Sequence, residues 1–393
     1  MSTPIDETVG IATELMTRIG SPADVQARAE ALGLDRISFD PEGLAGGFTG
    51  LALVMYALGS VTSEDRWFRE ARALTRAALE SMSVDELGLY SGVGGVAFFV
   101  CEAASPESAL VSEVRTAFET MIAGLIDTSG VRRLTHVKYE LINGAAGLYV
   151  AAHRLGLEEH CDIIEAFFQS LLDSPDELRR LTGPPPSLNL GVSHGIAGIV
   201  GALATVGRGS AREICRDYCA LLTASSIELG ASGALWWPYL DSPDPHLSRP
   251  SRAAWCFGSP GIAAVLASAG QAFGLDGAMD TAVRAARDLR RVTRSAWQIK
   301  DFALCHGLAG VAVCIDTVAR WSEDDEARDF ATDLFDEVRA AFDPAKPLGY
   351  KSEFALQLID DDGLLTGTAG IALALLSREP GFNRHNLHFL GLA

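Results

Sequence analysis

The stretch Gly307-Leu308-Ala309-Gly310, followed by the apolar run VAVCIDTV over residues 311–318, contains the unit from which the chain is built. A Gly-x-x-Gly followed by an apolar run of helical length occurs seven times, at steps of 45 to 63 residues. The copies begin at Gly47, Gly92, Gly144, Gly195, Gly258, Gly307 and Gly367. A repeat of this length is typical of folds that stack one small structural unit many times.

Charged, amphipathic segments lie between the apolar runs. In residues 323–342 the apolar side chains fall at three- and four-residue spacing, which predicts a helix with one buried face. Each repeat therefore predicts a pair of helices, the apolar one inside and the charged one outside. A helix hairpin of this kind can bury its apolar face only against its neighbours.

We therefore predict an all-α fold, an α/α toroid in which seven helix hairpins close into a ring with inner and outer layers. Residues 1–393 are expected to form a single domain, because the repeats run through nearly the whole chain. An open solenoid is the alternative, although its concave face would be expected to be more polar than these runs are.

Composition and charge exclude several classes of protein. Of the 393 residues, 48% are hydrophobic, which is enough for a large core and excludes general disorder. The chain carries 51 acidic and 32 basic residues, a net charge of −19, so it would repel the phosphate backbone of DNA or RNA. We expect no nucleic-acid partner.

The N-terminal sequence and the cysteine count predict a cytoplasmic protein. MSTPIDETVG has neither the basic nor the apolar region of a signal peptide, and seven cysteines are an odd number for a disulfide framework. Residues 43–63 carry no charge over a length that could span a membrane. Their glycines and the recurrence of similar runs predict a buried helix instead, so an integral membrane protein is not expected.

Reactive side chains fall at fixed positions relative to the first glycine of the repeat. His194 and His306 directly precede that glycine, and Cys256 and Cys305 precede it by two residues. In a closed ring, equal position in the repeat means equal height. The four side chains are therefore predicted to line one rim on three successive repeats.

Two cysteines and a histidine suit a zinc ion. Cys256, Cys305 and His306 predict a three-ligand site with one zinc per chain and an open fourth position, as catalytic zinc sites have. Taken singly, buried thiols and a hydrogen-bonded histidine would be the more ordinary interpretation. A redox pair of Cys256 and Cys305 is a further alternative, but it leaves His306 without a role.

Three motifs resemble those of a known family. NLGVSHG over residues 189–195, WCFGSPG over residues 255–261 and the Cys305-His306-Gly307 tripeptide are similar to the signature motifs of the lanthionine synthetase C-like proteins, the lantibiotic cyclases. The resemblance covers nearly the whole chain through the seven repeats. It implies an α/α toroid and a zinc enzyme that adds cysteine thiols of a precursor peptide to dehydroalanine or dehydrobutyrine, forming thioether rings.

The resemblance also implies roles for single residues. The family's zinc ligands fall on Cys256, Cys305 and His306, and its active-site histidine falls on His194. Its arginine four residues before the first zinc cysteine falls on Arg252.

Two positions depart from the family pattern. Glu140 stands where the family often has aspartate, and Phe257 stands where a member has a tyrosine directly after the zinc cysteine. The tyrosine's hydroxyl is therefore missing at residue 257.

These residues suggest a mechanism. His194 is expected to deliver a proton to the enolate carbon, or earlier to take the thiol proton, with Glu140 fixing its tautomer and Arg252 stabilising enolate charge. For Glu140 and Arg252 an ordinary ion pair is the alternative.

The resemblance implies partners as well. Because no dehydratase-like segment precedes the repeats, it implies a stand-alone cyclase acting on a dehydrated precursor peptide. A separate dehydratase and an export transporter would accompany it in a complex at the membrane. The alternative function is a zinc-binding toroid that serves as a docking subunit, or that adds a small thiol such as glutathione.

A long segment, residues 236–250, directly precedes the zinc motif. Long loops in compact domains are often functional, so this one could form a peptide-binding lip. It could equally be a connector across the wide step between the fourth and fifth repeats.

Overall fold

A computed structural model of the chain describes residues 4–33, 39–83, 86–127, 133–134, 138–182, 185–244, 246–354 and 357–393. Its α-helices, in chain order, are α1 (Pro4–Ile19), α2 (Pro22–Leu32), α3 (Phe48–Thr62), α4 (Asp65–Ser81), α5 (Val93–Ala103), α6 (Ala109–Ala123), α7 (Ala145–Arg154), α8 (Glu158–Leu172), α9 (Pro175–Thr182), α10 (Ile196–Val206), α11 (Arg212–Ala224), α12 (Ser259–Phe273), α13 (Asp276–Arg291), α14 (Arg294–Trp297), α15 (Leu308–Ser322), α16 (Asp325–Ala340) and α17 (Thr368–Leu376).

The strands are short and lie in the connections between helices. They are β1 (Ile126–Asp127), β2 (Arg133–Leu134), β3 (Leu188–Asn189), β4 (Ile227–Leu229), β5 (Ala234–Trp236), β6 (Leu240–Asp241), β7 (Ser352–Phe354) and β8 (Gln357–Ile359). They form four antiparallel pairs, β1 with β2, β3 with β6, β4 with β5, and β7 with β8. Turns of 3₁₀-helix occur at Gly209–Ala211, Gly230–Ser232 and Arg384–Leu390.

The helices form two concentric layers, as the repeats predict. The inner helices α3, α5, α7, α10, α12, α15 and α17 each contact the next, and α17 returns to α3. Outer helices α4, α6, α8, α11, α13 and α16 each pack on the inner helix that precedes them in the chain. The predicted closed toroid is confirmed, and the open solenoid is excluded.

The seventh hairpin is assembled from two distant parts of the chain. In the described residues after α17, up to residue 393, no outer helix follows; instead α1, the first helix in the described chain, packs against α17. Ile11, Leu15 and Ile19 of α1 are buried, and α17 is the helix that α1 contacts most. The ring is thus closed by a contact between its first and last helices.

The two glycines of each repeat have different structural roles. The first glycine is the N-cap of the inner helix in all seven copies. The second lies against the carbonyl oxygen of the residue six positions earlier. A Cβ on Gly310, for example, would lie 1.9 Å from the carbonyl oxygen of Leu304. The second glycine is required because the turn folds back onto the helix more closely than any side chain allows.

The turns that precede the inner helices are joined by backbone hydrogen bonds into a complete circle. The bonds, in order around the ring, run from Leu44 N to Tyr90 O, Tyr90 N to Ile142 O, Leu141 N to Ser193 O, Ser193 N to Cys256 O, Cys256 N to Cys305 O, Cys305 N to Leu365 O and Leu365 N to Ala45 O. This circle holds the seven turns at one height, so residues with equal position in the repeat lie on one rim.

The segment after α17 fills the centre of the ring. Phe389, Leu390 and Leu392 are buried. The hydroxyl of Tyr90 donates to the carbonyl of Phe389, and the indole N–H of Trp255 donates to that of Leu390 at 2.9 Å. The inner helices therefore surround a plug of the protein's own chain.

Most of the uncharged run over residues 43–63 folds as α3 (Phe48–Thr62), an inner helix with most of its side chains buried, as predicted. None of the helices in the described ranges is both long enough and apolar enough to cross a bilayer.

Candidate functional site

Three neighbouring turns of the rim carry the cysteines and histidines singled out in the sequence. His194 lies on the turn before α10, Cys256 on the turn before α12, and Cys305 and His306 on the turn before α15. The amide of Ser193 donates to the carbonyl of Cys256, and the amide of Cys256 donates to that of Cys305, each at 3.2 Å. The backbone thus places these turns side by side.

The thiols of Cys256 and Cys305 lie close enough to shift each other's pKa in opposite directions. The neighbouring Cys305 thiol lowers the pKa of Cys256, and the charges of His306 and Arg252 lower it further despite burial. The neighbouring Cys256 thiol, together with burial, holds the pKa of Cys305 well above its usual range. Cys256 is therefore the thiol that ionises first. All seven cysteines are free in this structure.

His306 is held by a buried carboxylate. Its Nε2 lies 3.6 Å from Oδ2 of Asp301, and this neighbouring carboxylate raises the pKa of His306. Asp301 also accepts the backbone amides of Ala303 at 3.1 Å and Glu353 at 2.8 Å. With Nε2 directed at Asp301, Nδ1 is the nitrogen of His306 that remains for a metal.

Sequence reasoning missed Asp301, although the repeat contains a signal for it. Asp or Asn stands six residues before the first glycine in three copies, where its side chain accepts the amide two residues on: Asn189 from Gly191, Asp301 from Ala303 and Asp361 from Gly363. In the seventh copy Thr366 donates to Asp361, in the position of the His306 and Asp301 pair. In the sixth and seventh copies, the residue before the first glycine therefore contacts the aspartate six positions before that glycine. In the sixth copy this residue is a histidine.

His194 is paired with Glu140 on the next turn of the ring. Its Nδ1 lies 2.9 Å from Oε2 of Glu140, and the side chain of His194 is 51% exposed. Glu140 is buried and accepts the backbone amides of Ile142 at 3.0 Å and Asn143 at 2.8 Å. A fixed carboxylate therefore orients an accessible imidazole.

Arg252 lies at the same rim and is bound to a residue not singled out in the sequence. Its backbone N–H and its Nε donate to the hydroxyl of Tyr239, at 3.2 and 3.3 Å. The ring of Tyr239 packs on Phe257 with centroids 5.7 Å apart, and the ring of His194 lies 5.9 Å from Phe257 on centroids. The tyrosine therefore belongs to the same cluster of side chains.

Tyr239 comes from the segment that could form a peptide-binding lip. The indoles of Trp236 and Trp237 are buried and donate to the carbonyls of Ser251 and Leu222, each at 2.8 Å. Strand β6 then pairs with β3, which leads into the turn of His194. This segment is thus anchored in the core and crosses the rim beside the candidate site.

Cys256, Cys305 and His306 fit zinc by the chemistry of their donor atoms. Two sulfurs, one of which favours the thiolate form, and an imidazole are ligands that zinc prefers. Across the described residues, no three His, Cys, Asp or Glu side chains already have the geometry of a metal site.

Comparisons with known proteins agree with this architecture. The family model described as lanthionine synthetase C-like protein matches residues 38–386. A solved structure described as nisin cyclase superposes with a TM-score of 0.70 at 18% sequence identity, covering 93% of this chain and 96% of that chain. At that identity the likeness shows the fold. No curated protein sequence gives a significant match.

Proposed function

The chain belongs to the lanthionine synthetase C-like family, and from this premise we propose that it is a zinc-dependent cyclase acting on a dehydrated precursor peptide. It would add cysteine thiols of the peptide to dehydroalanine or dehydrobutyrine residues of the same peptide, forming lanthionine or methyllanthionine thioether rings. One observation carries the proposal, namely that two contacting thiols, two histidines and an arginine share one rim of the ring.

The protein's own residues divide the work of this reaction. Zinc held by Cys256, Cys305 and His306 would supply a deprotonated substrate thiol as the nucleophile. Because Nδ1 of His194 is bonded to Glu140, its Nε2 is the atom that takes the thiol proton and returns it to Cα.

A second group acts on the negative charge that appears during addition. Arg252 lies close enough to lower the pKa of both thiols, so its fixed positive charge is available beside the reacting groups. It would stabilise the enolate that forms when sulfur bonds to the β-carbon.

The reaction rearranges atoms without adding any, which makes it easy to follow. The zinc-loaded protein is incubated with a synthetic peptide that contains one cysteine and one dehydroalanine. We expect the cysteine to become resistant to alkylation while the peptide mass stays the same. An alkylatable cysteine after long incubation would overturn the proposal. A peptide that gains one glutathione when that thiol is present would favour the small-thiol alternative.

Histidine variants separate chemistry from metal binding. His194→Ala is expected to keep its zinc but to cyclise the peptide about 100-fold or more slowly, the usual cost of losing a general acid or base. His160→Ala, on the outer helix α8, is the matched control and should cyclise at the wild-type rate. Equal rates in the two variants would show that His194 has no catalytic role.

We further propose that the protein works in the cytoplasm with a separate dehydratase and an export transporter, in a complex at the membrane. The family resemblance supports this arrangement, since a cyclase needs a supplier of dehydrated peptide and a route for the product. Co-purification of the protein with a dehydratase encoded beside it would test the arrangement, and its consistent purification alone would contradict it.

A further inference from the structure

The hydroxyl of Tyr239 has an unusual set of partners. It accepts two hydrogen bonds from Arg252, one from the backbone and one from the guanidinium. A phenol has two acceptor lone pairs and one donor proton, so these bonds use the acceptor positions and leave the proton. In the described parts of the chain, the Tyr239 hydroxyl accepts these two hydrogen bonds and donates none.

The other tyrosine hydroxyls are engaged elsewhere or lie away from the rim. Five are hydrogen bonded, with these partners: Tyr90 to the Phe389 carbonyl, Tyr139 to Thr182, Tyr149 to Glu165, Tyr218 to the Phe168 carbonyl and Tyr350 to the Val338 carbonyl. Tyr56 lies in the second half of α3 and packs edge-on against Phe68. Tyr239 thus differs from the rest in having an uncommitted proton next to the candidate site.

The surroundings of Tyr239 place that proton where negative charge would form. Arg252, to which it is bonded, lies on the same turn as Cys256, four residues before it. Phe257 follows Cys256 directly and packs between Tyr239 and His194, yet it carries no hydroxyl. A phenol, Tyr239, and a guanidinium, Arg252, are therefore two hydrogen-bond donors that are bonded to each other beside this aromatic cluster.

We propose that Tyr239 is a further catalytic residue, whose hydroxyl donates a hydrogen bond to the carbonyl oxygen of the dehydrated residue during addition. This inference rests on the proposed cyclase function. In the step, a carbon–sulfur bond forms, the carbon–carbon π bond breaks, and its electron pair moves onto that carbonyl oxygen. The thiol proton ends on Cα, so Tyr239 keeps its own proton throughout and no oxidant or reductant is needed.

The first test removes the hydroxyl alone. Tyr239→Phe is assayed with the same synthetic cysteine and dehydroalanine peptide, alongside measurements of zinc content and melting temperature. We expect kcat to fall about 100-fold, the usual scale for losing one oxyanion donor, with KM little changed and zinc and melting temperature retained. Tyr350→Phe is the matched control. It loses a buried hydroxyl that donates to the carbonyl of Val338 and has no role in the proposed reaction, so it should keep the wild-type kcat.

The second test returns the hydroxyl to the neighbouring ring. In the double variant Tyr239→Phe/Phe257→Tyr, we expect at least a tenfold recovery of kcat over Tyr239→Phe, because the two rings are in contact. A merely structural role for Tyr239 in holding Arg252 would not be restored by a hydroxyl on residue 257.

The outcomes keep this inference apart from the proposed function. A wild-type protein that does not cyclise the peptide contradicts the cyclase function itself. A wild-type protein that cyclises it, with Tyr239→Phe equally fast, overturns the role of Tyr239 alone. A slow Tyr239→Phe variant that has also lost its zinc, or that melts well below the wild type, likewise overturns a catalytic role.

Discussion

Nδ1 of His194 lies 2.9 Å from Oε2 of Glu140, a contact between two neighbouring turns of the ring. The carboxylate is buried and tied to two backbone amides, whereas the imidazole is half exposed. The buried partner therefore dictates the orientation of the accessible one. Such a pairing leaves Nε2 free for proton transfer at the rim.

This contact predicts how substitutions at residue 140 behave. Glu140→Gln should slow cyclisation at least about tenfold, because a neutral amide holds Nδ1 of His194 less firmly than the carboxylate that now lies 2.9 Å from it. Glu140→Asp keeps the charge and is the residue common in the family, so it should retain more activity. Zinc content serves as the control and should be the same in both variants. Full activity in Glu140→Gln would make the carboxylate incidental.

Metal content is predicted to depend on the two contacting thiols. Cys256→Ala and Cys305→Ala should each lower zinc from about one per chain to nearly none, since two ligands cannot hold a catalytic zinc well. Both should remain helical, because the layers of the ring do not depend on the ion. Cys314→Ala, a buried thiol within α15, is the control that should keep its metal. Elemental analysis decides, and zinc retained in both site variants contradicts the assignment.

Arg252 is predicted to act through the shape of its side chain as well as its charge. Arg252→Lys should cyclise the peptide about tenfold or more slowly with unchanged zinc, since a flexible ammonium does not reproduce the planar donor group that bonds Tyr239. Arg216→Lys, on the exposed face of α11, controls for the loss of an arginine. If Arg252→Lys matches the wild type in kcat and KM, the guanidinium has no catalytic role.

The second glycine of the repeat is predicted to be essential for stability. Gly310→Ala should cost about 3 kcal/mol or more of unfolding free energy, because its Cβ would lie 1.9 Å from the Leu304 carbonyl oxygen. Gly277→Ala, in α13 with open space around it, should instead stabilise the protein by up to about 1 kcal/mol. Urea denaturation measures both, and equal effects of the two substitutions would contradict this explanation of the motif.

His388, in the segment that fills the centre of the ring, is predicted to lower the free energy of unfolding in acid. Burial, together with the charge of Arg154 and the neighbouring His385, His153 and Arg384, lowers the pKa of His388 far below its ordinary value of 6.5. The folded protein keeps this ring neutral while the unfolded chain takes up a proton as the pH falls below about 6.5, so acid favours unfolding.

Replacing His388 should therefore flatten the pH dependence. Between pH 7 and 5.5 the wild type should lose about 1 kcal/mol more unfolding free energy than His388→Gln. Urea denaturation at the two pH values provides the comparison. The same slope in both proteins would show that His388 does not stay neutral in the fold.

Much of the ring and rim could be predicted because residues at the same position in the sequence repeat lie at the same height along the axis of the ring. The first glycine of each copy marks a helix start, so Cys305 and His306 could be placed beside Cys256 without knowing any contact. Tyr239 could not be placed, because it comes from a segment between repeats that has no counterpart in the other copies. The outer helix that packs on α17 could not be predicted either, since nothing in the local sequence shows that α1 takes this position.

The contact of α1 with α17 has a consequence for how the protein is made. The ribosome releases α1 before every helix of the ring, yet the inner helix on which α1 packs, α17, is the last of the ring to be synthesised. During translation Ile11, Leu15 and Ile19 have no native partner in α17, and the first inner helix, α3, also lacks one of its two neighbours. The toroid therefore cannot be completed vectorially, because α1 and α3 must both wait for α17 before the ring can close.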